Sequence, residues 1–242
     1  MNGVADINLI VGMLQNVPLF ASLTSEQLRS IAGPAELHTI KAKTLLIRQG
    51  TVATKLYVVI QGQIRVSELT VAGHEVVHRF IGSGAMLGGM AAVGGLTYLI
   101  TARAMCESRL LAWGTVTLQR IMECQPQVAL NAMRLMVARI EELQERCVAL
   151  ATQKVRQRVA QTILRLTEQN GCRVSDGILL NMRLSRQDLA EMTGTTLYTA
   201  SRLLNQWQRK KIISLERRKI LVRKPHDLVG IAEAGGLHDQ DD

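Results

Sequence analysis

Residues 185–209, SRQDLAEMTGTTLYTASRLLNQWQR, hold the side chains whose chemistry is easiest to name. The guanidinium of Arg202 can donate two parallel hydrogen bonds to guanine O6 and N7 in a major groove. Tyr198 and Ser201 carry hydroxyls that can reach adjacent bases. Arg186, Gln187 and Thr196, with Arg217 and Arg218 at the tip of a later hairpin, suit phosphate oxygens, which fix position without reading sequence. Such groups work only if two short helices cross closely. Ser185 with Asp188 three residues later resembles a capping box for the first helix, whose inner face is Leu189 and Ala190. Gly194 breaks it where a tight turn needs no Cβ. A second helix restarts at Thr195 or Thr196, with Ala200, Leu203, Leu204 and Trp207 inward and Leu197, Tyr198, Ser201, Arg202 and Asn205 outward. The pattern predicts a helix-turn-helix, and KIISLERRKILVRK after it predicts a β-hairpin wing.

Other letter patterns carry less. His74-Glu75-Val76-Val77-His78 spells a zinc-protease motif, but that chemistry needs a helix with both histidines on one face. Gly73 and the pair Val76-Val77 predict a turn and a strand, which would hold the histidines about 13 Å apart, too far to share one zinc. Gly82, Gly84 and Gly88 lack the dinucleotide-binding spacing and read as turn glycines. Cysteines 106, 124, 147 and 172 form no C-x-x-C pair and no metal-ligand spacing, so neither a zinc ribbon nor a disulfide framework is expected.

Charge separates the chain into parts. Residues 151–224 hold 16 Lys and Arg against 5 Asp and Glu, a balance of +11, whereas residues 1–150 hold 13 against 10 and the last 18 hold 0 against 5. A compact segment so basic suits a polyanion, because each cation placed on a phosphate releases condensed counterions. From about Thr39 to Trp113 short strands are cut by glycines, with alternation clearest at Leu56, Val58, Ile60, Ile64 and Val66, which predicts a barrel or jelly roll. A short helix is expected within Pro18–Ala32. After Pro126 the period changes: Ala129, Met133, Met136, Ile140, Leu143, Cys147 and Leu150 step by 4 and 3 alternately, the a/d seam of a helix that pairs with its own copy. Cys147 on that seam could oxidise to its mate, although a buried cysteine is more often a small hydrophobe. A further helix from Lys154 to Asn170 closes at Gly171, and a short strand, GILLNMRL, follows. Aromatics are 3% of residues and methionines number ten, so the core is aliphatic and adaptable. The uncharged run from Phe80 to Ala102 is long enough to span a membrane, but its six glycines read as turns of a sheet. With no secretory signal pattern, a cytoplasmic protein is expected.

The expected fold is thus α+β: a sensor jelly roll over 1–125, a dimerisation helix over 126–150, and a winged helix-turn-helix with an acidic tail over 151–242. In that order these parts resemble the Crp/Fnr family of bacterial transcription regulators, most specifically at KVRQRVAQTILRL, SRQDLAEMTGTTLYTASRLL and the turn glycines near Gly50 and Gly62. The resemblance implies a homodimer on double-stranded DNA with a palindromic operator, RNA polymerase as a further partner, and no catalysis. It also locates an effector site at Gly88, Gly89, Tyr98, Leu99 and Leu143. In cyclic-AMP-binding members a Gly-Glu pair and an Arg-Ser pair grip ribose and phosphate; here Gly88-Gly89 and Tyr98-Leu99 stand instead, so cyclic AMP is not expected. Leu143 and Gln144 replace the polar pair directed onto adenine. The cysteine cluster of the iron-sulfur branch and the Cys-x-His haem ligands of the carbon-monoxide branch are missing. No cofactor is therefore expected, with haem on His38, His74 or His78 left open by likeness to the nitric-oxide branch. Many members carry Glu where Tyr198 stands, so a different half-site is expected. The rival classes are a metal-dependent jelly-roll enzyme and a basic interaction module without base readout.

Overall fold

The computed structural model describes residues 7–89, 94–180, 182, 184–216 and 219–233. The chain divides into two compact units, Met1–Glu141 and Glu142–Asp242.

In the first unit, eight strands form two antiparallel four-stranded sheets: β1 (Glu36–Ile40), β2 (Leu45–Ile47), β3 (Lys55–Gln61), β4 (Ile64–Leu69), β5 (Glu75–Ile81), β6 (Met86–Leu87), β7 (Thr101–Ala104) and β8 (Ser108–Gly114). One sheet runs β1-β8-β3-β6 and the other β2-β7-β4-β5, the two-sheet arrangement of a jelly roll. Alternation along β3 has a physical cause on both faces. Leu56 and Val58 enter a cluster with Leu14, Phe20, Ile31 and Trp113, while Val59 joins Ile64, Ala102 and Leu110 in the second, inter-sheet cluster. Strand β8 is divided the same way, with Leu111 and Trp113 on one side and Leu110 on the other. Helices α1 (Ile7–Leu14) and α2 (Ser25–Ala32) cover the outer face. The short helix expected within Pro18–Ala32 is α2: Pro18–Phe20 makes one 3₁₀ turn, and α2 begins after the N-cap Thr24, whose hydroxyl accepts from the Gln27 backbone amide while the Gln27 side chain accepts from Thr24 N. Segment YLITARAMCESRLLAW is cut by the bend at Met105-Cys106 into β7 and β8. Its uncharged predecessor forms the end of β5, then β6 and β7, and no described helix is long and apolar enough to cross a membrane.

Helix α3 (Thr115–Cys124) leads to α4 (Pro126–Thr152), in which the seam residues lie. Its first turns are anchored in the first unit: Val128 is fully buried, and the Asn131 amide donates to Leu19 O and Ala21 O at 3.1 and 2.9 Å. Met133, Met136, Val137, Ile140, Leu143 and Val148 remain exposed along it, and Cys147 is an exposed free thiol rather than a buried one within the chain.

The second unit adds α5 (Val155–Asn170), β9 (Gly171–Val174), β10 (Gly177–Leu180), α6 (Arg186–Thr193), α7 (Leu197–Arg209), β11 (Ile213–Glu216), β12 (Lys219–Val222) and α8 (Pro225–Glu233). Its sheet order is β11-β12-β10-β9. Two features differ from expectation. Gly171 takes the C-cap place of α5, as expected, but in extended backbone (φ −79°) rather than left-handed, and it starts β9, so a hairpin stands where one strand was expected. A Cβ there would meet Thr167 O at 2.2 Å, so the chain passes its own helix end too closely for a side chain. The segment after the wing is also helical: α8 packs against α5, with Leu228 fully buried.

Candidate nucleic-acid interface and sensor site

Helix α6 begins where expected. Ser185 N donates to Asp188 Oδ2 and Asp188 N to Ser185 Oγ, both at 3.0 Å, which satisfies two donors left over at the helix start. It ends at Gly194, whose left-handed backbone (φ 61°, ψ 45°) lets its amide and that of Thr195 return to Ala190 O. Ala190 and Ala200 are both buried to within 1%, the small-residue contact that allows α6 and α7 to cross closely. Thr196 then caps α7. Its hydroxyl accepts from Thr199 N at 3.1 Å and lies 3.0 Å from Thr199 Oγ1, so this residue, expected at a phosphate, first serves to start the recognition helix.

The buried face of α7 is Ala200, Leu203, Leu204 and Trp207, and the opposite face carries Tyr198, Arg202 and Asn205 in the open. Tyr198 is 77% exposed, and Ser201 is half-buried at its flank. Leu197 lines a cleft of about 490 Å³ among this helix, the start of α6 and the wing strands, with Arg186, Leu204, Leu215 and Ile220. Arg186 and Gln187 lie exposed at the start of α6, where the Gln187 amide donates to Glu191 Oε1 at 2.8 Å and Arg186 Nη2 to Asn205 Oδ1 at 3.0 Å. Arg217 and Arg218, expected at the wing tip, lie outside the described residues.

Two arginines that spacing did not single out for this role hold the helix-turn-helix from behind. Arg146, near the end of α4, donates to Met192 O at 2.9 Å; Arg158, in α5, donates through Nε to Thr193 O at 3.0 Å and through Nη1 to Gln153 O at 2.7 Å. The carbonyls of Met192 and Thr193 are among the unpaired acceptors at the negative end of α6, where a cation is favoured. Leu150 closes the same region, its Cδ2 lying 3.1 Å from where a Cβ on Gly194 would be. Glu142 pairs with Arg165 at 3.3 Å. The last turns of α4 are therefore fastened to the helix-turn-helix by the charge-assisted bond of Arg146 to Met192 O, and α5 by that of Arg158 to Thr193 O.

In the first unit, Tyr98 is buried and its hydroxyl engages the backbone of Lys55 on both sides, donating to O at 2.8 Å and accepting from N at 3.1 Å. Gly88 makes room for it. Its φ of +74° suits glycine, and a Cβ would stand 2.5 Å from Lys55 O and 3.2 Å from Tyr98 Cε1. The structure thus brings Gly88 and Tyr98 together. Leu99, 62% exposed, points away from that interior; Gly89 follows Gly88 without a side chain; Leu143 is on α4 in the second unit. The segment HEVVH is strand, not helix: His74 precedes β5 and His78 lies within it, its Nε2 2.9 Å from Glu68 Oε2. His38 Nε2 stands 3.1 Å from Glu36 Oε2. Among the described residues no three His, Cys, Asp or Glu side chains gather as a metal site. Two carboxylates are held below the ordinary range. Lys55, with His38 further off, does this for Glu36; Arg65 and then Ser67 do it for Glu75.

With this geometry in hand, comparison with known proteins is direct. Residues 157–231 match the Crp-like helix-turn-helix domain and residues 37–124 the cyclic nucleotide-binding domain. The chain is 25% identical over 201 residues to a global nitrogen regulator of Nostoc, covering 82% of this chain and 90% of that one. It is 28% identical over 174 residues to the nitrogen fixation regulation protein FixK of Azorhizobium caulinodans, covering 71% and 69%. The solved structure of FixK2 from Bradyrhizobium japonicum superposes with a TM-score of 0.72 at 20% identity over 83% of this chain and 98% of the other, a likeness of fold.

Proposed function

The chain belongs to the Crp/Fnr family of DNA-binding transcription regulators, and on that premise we propose that it acts as a homodimer on a palindromic operator, under control of a signal received by the jelly roll. The observation that carries base readout is the face of α7: in a segment of balance +11, Tyr198 and Arg202 stand exposed on a helix capped at both ends and packed along its opposite side. Arg202 reads guanine, Tyr198 and Ser201 meet neighbouring bases, and Arg186, Gln187, Thr196, Arg217 and Arg218 face the backbone. Dimerisation is supported by the apolar stripe of α4, where Met136, Val137 and Ile140 are each more than half exposed in the single chain. A stripe at 3.5-residue period is best covered by a second copy.

Control would run through the same helix. Arg146 and Leu150 tie its last turns to α6 and the Gly194 turn, so a change in how two copies of α4 pack would reorient both recognition helices relative to half-sites one turn apart. The signal is not read as a cyclic nucleotide. Gly89 and Leu99 offer neither carboxylate nor guanidinium to ribose or phosphate, and Tyr98 already fills the space over Gly88 with its hydroxyl satisfied. Of the three histidines considered for haem, Nε2 of His38 and of His78 each faces a carboxylate, which leaves His74 as the one to test. An effector of other chemistry or a redox event remains the reading, in a cytoplasmic regulator working with RNA polymerase. Arg202→Ala tests it: specific affinity should fall by about 1–3 kcal/mol while random-duplex affinity changes little, and equal loss on both would show that Arg202 does not read bases.

A further inference from the structure

Asn205 lies exposed on the outward face of α7. Tyr198, Arg202 and Asn205 are spaced i, i+4, i+7 and so share one stripe opposite the buried Ala200, Leu203, Leu204 and Trp207. The guanidinium of Arg186, the first residue of α6, crosses to this stripe and donates to Asn205 Oδ1 at 3.0 Å. That bond decides which way the amide points. Oxygen and nitrogen of a side-chain amide are easily exchanged, but guanidinium is donor-only and can be met only by the oxygen. What Asn205 turns away from Arg186 is therefore its NH₂ group, with two donors, while Arg186 takes one lone pair of the oxygen.

We infer that Asn205 contacts the operator as a donor to acceptor atoms, and that Arg186 is the positioning residue that makes it so. This rests on the reading of α7 as the recognition helix. An unrestrained Asn pairs with adenine through both groups, accepting from N6 and donating to N7. Oδ1 keeps a second lone pair, but Arg186 holds the oxygen toward α6, which disfavours that two-bond pairing and leaves the N–H donors as what Asn205 offers best. Acceptor oxygens remain: guanine O6 or thymine O4 at a base edge, or a phosphate oxygen of the groove wall. Arg186 acquires a role beyond its charge, since any side chain that donates to Oδ1 would keep the amide in place.

The test uses the full chain. An operator is first enriched from a random-duplex pool by wild type, and affinities for it and for random DNA are then compared for Asn205→Ala, Arg186→Ala and Arg186→Gln. Both positions are exposed, and an unchanged thermal unfolding midpoint reports that each variant is folded. Asn205→Ala should weaken operator binding about tenfold. Loss confined to the operator, with one half-site position losing its guanine or thymine preference, assigns the acceptor to a base. Equal loss on operator and random DNA assigns it to phosphate. Arg186→Gln and Arg186→Ala lose the same charge, but only Gln retains a donor for Oδ1. Gln should therefore bind more tightly than Ala, and with a base acceptor Arg186→Ala should newly admit adenine at that position. Wild-type affinity and base preference in Asn205→Ala, or identical behaviour of the two Arg186 variants, overturns the inference while leaving the regulator reading intact. If wild type enriches no sequence at all, both fall.

Discussion

Replacing Gly194 by Ala probes the turn on which the helix-turn-helix depends. At φ 61° and ψ 45° the backbone is left-handed, which costs a residue with a Cβ about 1–2 kcal/mol. The new methyl would also stand 3.1 Å from Leu150 Cδ2, a contact a flexible side chain relieves for a few tenths of a kcal/mol more. The second unit has one tryptophan, Trp207, and the first unit has the other, Trp113. Fluorotryptophan labelling therefore gives one ¹⁹F signal per unit. Gly194→Ala should lower the thermal midpoint of the Trp207 signal by about 5–15 °C and leave that of Trp113 in place. Gly194→Asn should lose less, because Asn tolerates this backbone region better than Ala does. Adding Leu150→Ala should not recover the loss, since most of it is backbone strain. A neutral Gly194→Ala, or full rescue by Leu150→Ala, would refute this account of the turn.

Three further outcomes are expected. Arg158→Ala removes the donors to Thr193 O and Gln153 O and should cost the Trp207 unit about 2 kcal/mol in urea unfolding, with Trp113 unaffected. Tyr98→Phe leaves Lys55 N and O without their partner hydroxyl and should cost the Trp113 unit about 1–2 kcal/mol by the same measurement. Glu75 titrates below its ordinary value of 4.5 because Arg65 and Ser67 bond its charged form; its contribution is present above that value and is lost as pH falls through the lowered one. The Trp113 midpoint should therefore drop between about pH 5 and 3 less steeply in Glu75→Gln than in wild type.

What the sequence made legible was local. Ser185 and Asp188 lie three residues apart, Gly194 interrupts a helical pattern, and Ala200, Leu203, Leu204 and Trp207 repeat at the helical period, so α6, α7 and their crossing could be placed from adjacent letters. The two-residue period of Leu56 and Val58 marked β3 but did not reveal that Val59 is buried as well, in a second cluster. The roles of Arg146 and Arg158 were hidden because their acceptors are backbone carbonyls 46 and 35 residues away, which no side-chain spacing records. Gly171 misled because a glycine after a helix reads as a left-handed cap, while here it serves close approach to Thr167 O. Helix α8 had a signal that went unused, Pro225 at its first position with Asp227 in its first turn. In the jelly roll, the adjacency of Gly88 and Tyr98 came from the resemblance, and the hydroxyl's two bonds to Lys55 became visible only in the fold.

The most direct test of the central claim is selection of bound duplexes from a random pool by the purified full-length protein, followed by sequencing. A paired recognition helix predicts an enriched palindrome containing a guanine in each half-site, with half-site centres one helical turn apart, about 10 base pairs. Enrichment of no sequence would contradict the account and leave the basic face of the second unit without base readout.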